Sequence, residues 1–230
     1  MGKGKLIVLE GGDSAGKSTQ VKQITKYFDD NNITYACEHF PKYGHNEFSE
    51  VIAKFLRGEF GTVDEVDPYF VANIYAMDRY LYLPELLQKL EDNDVVLLDR
   101  YVVSNVAFQG AKFRNEEESA KIQSWIEDFE FEFLDLPYPD LTLYMDVPSE
   151  VAEERLKDRE GDDREYLKGK QDIHEADMEF QKRVRAVYQS YSSANNYHII
   201  RSTVVNEDAG ETSLRILTPE EIFESYKKLL

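Results

Sequence analysis

The chain has 230 residues, of which 45 are acidic and 27 basic, for a formal net charge of −18. Its length suits one α/β domain spanning residues 1–230 with a sizeable core, and its acidity argues against nucleic-acid binding, which calls for a basic face. A single cysteine, Cys37, excludes an intrachain disulfide and points to a reducing, cytoplasmic setting. The opening MGKGKL has no apolar targeting core, and no apolar run approaches the ~20 residues of a membrane span.

In chain order, strands and helices are predicted to alternate, the pattern of a parallel sheet covered on both faces. Leu6, Ile7, Val8 and Leu9 form a short buried strand, followed at once by EGGDSAGKST at 10–19. Val21, Ile24 and Phe28 recur at helical spacing, so a helix begins where that segment ends. A second strand is expected at 34–40, ending at Pro41 and carrying Cys37 as a core residue. A helix follows at 47–56, broken by the glycines at 58 and 61. Asp67 and Pro68 read as an N-cap and first helical residue of a long helix, with a bend or break expected near Pro84.

The apolar run 95–98 is a strand ending in Asp99, Arg100 and Tyr101. Ile122, Trp125, Ile126 and Phe129 mark a further helix, and 141–147 the next strand. A helix is expected from 148 to about 159. Residues 157–170 are almost wholly charged and read as a mobile excursion. A helix at 173–190, a strand at 198–200 and a capped helix opening at Thr218 complete the pattern.

The segment after the first strand carries the chemistry. Gly11, Gly16, Lys17 and Ser18 fit G-x-x-x-x-G-K-[ST], a loop whose glycines let consecutive backbone N–H groups wrap a polyphosphate. The following helix turns its positive dipole end to the same anion. Gly11, Gly12, Asp13, Ser14, Ala15, Gly16, Lys17, Ser18 and Thr19 are therefore the expected phosphate-binding residues for ATP, with Lys17 facing ligand and packing against nothing. Ser18 and the strand-end Asp99 are the expected holders of Mg²⁺. No N-K-x-D occurs for guanine reading. A compact chain with a charged excursion suits a small-molecule kinase, whose lid must keep water from the donor phosphate.

The blocks EGGDSAGKSTQ, FPKYG at 40–44, IYAMDRY at 74–80, LLDRYVVSNVAFQGAK at 97–112 and PDLTLYMDVPSEVAEER at 139–155 resemble the thymidylate kinase family in order and spacing. The resemblance covers residues 5–190. It implies a three-layer P-loop fold around a five-stranded parallel sheet, a homodimer, and transfer of a phosphoryl group from ATP to dTMP. For dTMP it implies Asp13 at the sugar 3′-hydroxyl, Arg100 at the acceptor phosphate and Tyr75 stacked on the base. It further implies Arg79 at a base carbonyl, Ser104 and Asn105 at the base edge, and Phe108 against the sugar 2′ position. Phe40, Pro41 and Leu56 would wall the pocket.

Two departures from the family pattern matter. Ser14 and Ala15 stand where some members carry a loop arginine, so residues 157–170 must supply one; Arg159 and Arg164 are the candidates, with Arg155 beside them. FPKYG lacks an arginine after Phe-Pro, leaving Lys42 or Arg57 for the acceptor phosphate. A deoxynucleoside kinase or another nucleoside monophosphate kinase on the same fold is the nearest alternative, and a non-catalytic nucleotide-binding module a more distant one.

Overall fold

A computed structural model describes residues 4–157, 164–170, 172–175, 177–191, 196–208 and 211–230. Five parallel strands, β1 (Lys5–Glu10), β2 (Tyr35–His39), β3 (Val95–Asp99), β4 (Leu141–Asp146) and β5 (Tyr197–Arg201), form one sheet in the order β2-β3-β1-β4-β5. Apolar runs become strands here because both faces of the sheet are covered. Leu6 and Val8 of β1 face one cluster, with Ile122, Ile126, Tyr82 and Leu86. Ile7 and Leu9 face the other, with Ile24, Phe28, Ile222 and Phe223.

The first cover layer comprises α3 (Pro68–Asp92), α4 (Val102–Gly110) and α5 (Glu116–Glu127). Helices α1 (Lys17–Asp30) and α8 (Pro219–Tyr226) form the opposite one. Helix α7 (Met178–Ser190) packs against α4 and β4 through Phe180, Val184 and Tyr188. Helix α2 (Glu47–Leu56) packs on α3 through Ile52, Phe55, Val71 and Ile74, and α6 (Ser149–Lys157) follows β4.

Several expectations need correcting. Helix α3 runs unbroken through Pro84; that proline lies on the exposed face, where the carbonyl left unpaired one turn earlier belongs to exposed Tyr80. Helix α7 starts at Met178 rather than 173, because Asp177 caps it by accepting from the Phe180 N–H at 2.9 Å. Cys37 lies on a strand, yet among the described residues β2 pairs only with β3 and is an edge, and the thiol is exposed. An antiparallel hairpin, β6 (Thr203–Asp208) and β7 (Glu211–Ile216), fills a stretch where no element was expected.

Candidate active site

Helices α1 and α4 leave the adjacent strands β1 and β3 towards opposite faces of the sheet. The carboxyl ends of those strands therefore frame a crevice, the place where open α/β sheets bind ligands. A cleft of about 790 Å³ opens there, lined by residues 13–19, Asp99 and Arg100, and by Pro41, Leu56, Tyr75, Asn105 and Phe108.

The phosphate loop is shaped by its glycines. Gly16 caps α1 in the left-handed region, at φ 86°. A Cβ on Gly11 would sit 3.1 Å from the Ala15 Cβ and 3.2 Å from the Met145 carbonyl oxygen. Lys17 departs from expectation: it is only 8% exposed, and its Nζ donates to the carbonyls of Gly11 (3.2 Å) and Gly12 (3.0 Å). Burial, then the nearby Arg100 charge, lowers its pKa to about 8.

Arg100 follows β3 with φ at 70°, a left-handed conformation that costs a non-glycine residue ~1–3 kcal/mol and survives only where the surroundings impose it. Its guanidinium donates to the Gly11 carbonyl (2.9 Å), Ser104 Oγ (3.3 Å) and Asp13 Oδ1 (2.6 Å). The pair forms across the crevice with Asp13, not with the adjacent Asp99. Gln181 Nε2 donates to the second Asp13 oxygen at 3.0 Å. Burial would raise the Asp13 pKa, but Arg100, Lys17 and the Gln181 hydrogen bond hold it below the usual range. The carboxylate is ionised and fixed from two sides.

Asp99 meets the same opposition: burial raises its pKa, while Lys17 and His39 bring it down to about 2. Its Oδ1 is buried without a hydrogen-bond partner among the described residues, and Ser18 lines the same cleft. An ionised, unpartnered carboxylate oxygen and a serine hydroxyl on the same cleft fit Mg²⁺, whose remaining ligands would be phosphate oxygens and water. Among the described residues no cluster of three or more His, Cys, Asp or Glu could hold a metal by itself.

On the other side of the cleft the placements diverge in part from the sequence reading. Pro41, Leu56, Tyr75, Ser104, Asn105 and Phe108 line it as expected. Phe40 lies beneath, buried against Tyr82 and Tyr101. Arg79 is 2% exposed and is not part of the lining; it makes a two-pronged pair with buried Glu130, at 2.5 and 2.6 Å. Asn105 donates to that same Glu130 at 2.8 Å, which leaves its Oδ1 unpartnered. Ser104 donates its hydroxyl to Glu10 at 2.6 Å. Lys42 pairs with Glu38, and Arg57 with Glu50 and Glu59, so both cations expected at the acceptor phosphate are held elsewhere and neither lines the cleft.

Arg164, Tyr166, Asp172, His174 and Glu175 line the cleft on the side of α2. Tyr166 stacks on Tyr43 with centroids 4.0 Å apart, and the Ile173 N–H donates to the Leu56 carbonyl. Arg164 lines the cleft while making a two-pronged pair with Glu175, at 2.6 and 3.0 Å. Arg155 on α6 reaches the phosphate loop itself, donating to the Ser14 carbonyl at 3.3 Å. Arg159 lies outside the described residues, as do 158–163 of the expected lid.

Sequence reasoning missed Gln109, Gln181, Asp172 and His174. Gln109 lines the cleft with both amide atoms buried and unpartnered. Asp172 is buried beneath Tyr166; burial, then the Asp13 charge, raises its pKa to about 7. His174 packs on Phe108 and is kept neutral, its pKa lowered to about 3 by burial and then by Lys112. Gln181 lies on α7, a helix the sequence did predict. Nothing local signals its pairing with Asp13, 168 positions away.

The family profile described as thymidylate kinase matches residues 9–211. The thymidylate kinase of Mycobacterium tuberculosis (strain ATCC 25618 / H37Rv) is 35% identical over 183 residues, covering 80% of this chain and 83% of that protein. That of Clostridium novyi (strain NT) is 32% identical over 193 residues, covering 82% and 84%. Among solved structures, the thymidylate kinase of Candida albicans superposes with a TM-score of 0.70 at 19% identity, over 99% of this chain and 91% of that one, a likeness of fold.

Proposed function

The chain belongs to the thymidylate kinase family, and from that membership we propose that it transfers the γ-phosphoryl group of ATP to dTMP, giving ADP and dTDP. The observation that carries the reading is the joining of the two sides of the cleft through one ion pair. Arg100 bonds a phosphate-loop carbonyl and Asp13 while facing the pocket of Tyr75 and Phe108. A single guanidinium thus stands where acceptor phosphate and transferring group must meet.

The donor phosphates lie on the N–H groups of residues 11–19, replacing the loop carbonyls as partners of Lys17. A groove of about 280 Å³ between Gln20, Ile200, Leu217 and Pro219 continues from the loop and suits the donor's purine. Ser18 and Asp99 are the residues that would hold Mg²⁺, which would shield phosphate charge. An acceptor phosphate oxygen attacks the γ-phosphorus in line as the bond to the β-bridging oxygen breaks. Negative charge spreads over the equatorial oxygens, and Lys17 and Arg100 are set to meet it without reorganising. Asp13, already ionised, accepts from the sugar 3′-hydroxyl. Arg155 stands over the loop, and Arg164 is delivered from its pair with Glu175; with Arg159, these are the lid cations proposed for the transition state.

Tyr75 stacks on the thymine while Asn105 and Gln109 face its polar edge, and Phe108 fills the 2′ side. Arg79 serves the base pocket indirectly, by holding Glu130 and Asn105 in register, and Ser104 by steering Arg100. A homodimer is proposed through the apolar side chains that α3 exposes, among them Phe70, Leu81 and Leu87, with Phe133 beyond α5. No described helix is long and apolar enough to cross a membrane, and a cytoplasmic setting is proposed. Incubation with ATP, Mg²⁺ and dTMP should yield ADP and dTDP in equal amounts. ADP release without dTDP would leave an ATPase and sink the reading.

A further inference from the structure

Glu10, the last residue of β1, is completely buried and is not among the residues lining the cleft. Strand alternation sends its side chain to the α4 side of the sheet, with Leu6 and Val8. There its carboxylate accepts four hydrogen bonds. Oε1 takes the N–H groups of Tyr101 (2.9 Å) and Ser104 (3.1 Å). Oε2 takes the hydroxyls of Ser104 (2.6 Å) and Tyr188 (3.0 Å).

Tyr101 is the N-cap residue of α4 and Ser104 its third helical residue, and Tyr101 supplies no side-chain cap of its own. Those two N–H groups are the ones a capping box satisfies from within a helix. Here one carboxylate from a neighbouring strand satisfies both. The residue just before this cap is Arg100, held at φ 70°. The Ser104 hydroxyl fixed by Glu10 also receives Arg100 at 3.3 Å. Tyr188 lies on α7 two turns beyond Gln181, the residue that holds Asp13. Both side-chain partners of the Arg100 guanidinium, Asp13 and Ser104, are therefore held in turn by other residues.

We infer that Glu10 is a positioning residue for phosphoryl transfer: by capping α4 from β1 it imposes the left-handed backbone of Arg100 and, through Ser104, the aim of its guanidinium. Glu10 touches no substrate. Its loss acts through Arg100, and a misplacement on the scale of 1 Å costs a transition state about 10²-fold.

This inference rests on the kinase reading, and turnover of dTMP by the unaltered protein tests that reading separately. Glu10→Gln keeps the shape and one accepting oxygen, so a folded protein is expected, checked by circular dichroism and Tm. Its kcat should fall about 10–100-fold, with KM for ATP and dTMP within about threefold of the parent. In an Arg100→Ala background the same change should alter kcat by less than about twofold, because the residue it positions is gone. Tyr188→Phe removes one donor from Glu10 at a distance from the cleft and should give a smaller loss with the same dependence on Arg100. If Glu10→Gln does not fold, that second pair of measurements decides. An unchanged kcat, or equal losses with and without Arg100, overturns the inference in favour of a purely structural carboxylate.

Discussion

The donor side of the cleft is one uninterrupted run, residues 13–19, whereas the acceptor side gathers Pro41 from a loop, Leu56 from α2, Tyr75 from α3, and Asn105 and Phe108 from α4. Their charges differ as well. Among the described residues, Lys17 bonds only loop carbonyls that a triphosphate can displace. The acceptor-side cations are already neutralised, Arg79 by Glu130, Arg57 by Glu50 and Glu59, and Lys42 by Glu38. With 45 acidic residues against 27 basic, such pairing is the expected fate of a cation. The difference teaches that the acceptor base is met by neutral groups, and that Arg100, paired with Asp13 of the loop, is the cation placed between the two sides.

The largest effect should come from the donor side. Lys17→Ala is expected to lower kcat by at least about 10²–10³-fold, the range for losing one preorganised donor. The fold should survive, because burial already disfavours the Lys17 charge; near-normal kcat would contradict the assignment. On the acceptor side Tyr75→Ala should raise KM for dTMP about 5–150-fold, the equivalent of ~1–3 kcal/mol of stacking. KM for ATP should stay put, and an equal rise in both would mean that the two sides are not independent.

The lid arginines sharpen the comparison, since one already touches the donor loop and the other is tied to Glu175. Arg155→Ala should reduce kcat by about tenfold or more, a loss of roughly 1.4 kcal/mol, with Arg164→Ala showing a smaller drop at saturating nucleotides. The reverse ranking would place the active cation on the acceptor side. Phe108→Ala should improve kcat/KM for UMP or 5-methyl-UMP by a few fold, about 1 kcal/mol in discrimination. An unchanged deoxyribose preference would assign the sugar choice to another residue.

The smallest effect is one of pH. Burial and the Asp13 charge raise the folded pKa of Asp172 to about 7 from a model-peptide value near 4. A raised folded pKa contributes stability that is fully present below about pH 4 and lost as pH climbs through 7. Asp172→Asn removes the charge, so it should raise Tm by about 2 °C or more at pH 8 and much less at pH 5. An equal change at both values would show that the carboxyl is not uncharged in the folded protein at the lower pH.

What was legible in the sequence follows the same division. Strands β1, β3 and β4 are apolar runs because they are covered on both faces, and α2 falls at 47–56 as expected because Asn46 closes a capping box with Ser49. The phosphate loop is legible because its function resides in consecutive backbone groups. Arg79 illustrates what is not: helical spacing sets it one turn from Tyr75, but Glu130, 51 residues on, decides where its guanidinium goes. Ser104 likewise bonds a strand-end glutamate 94 positions away. The hairpin escaped notice because Val204, Val205, Leu214 and Ile216 are exposed, so burial imposes no alternation to read.

The account's central claim, that an acceptor monophosphate is seated by Arg100 and its base by neutral groups, is tested most directly by kcat/KM over a panel of acceptors with ATP and Mg²⁺. The account predicts dTMP first, dUMP and UMP well behind it, and dCMP and thymidine at the floor, since thymidine offers Arg100 no phosphate. Preference for thymidine over dTMP, or equal use of dCMP, would contradict it.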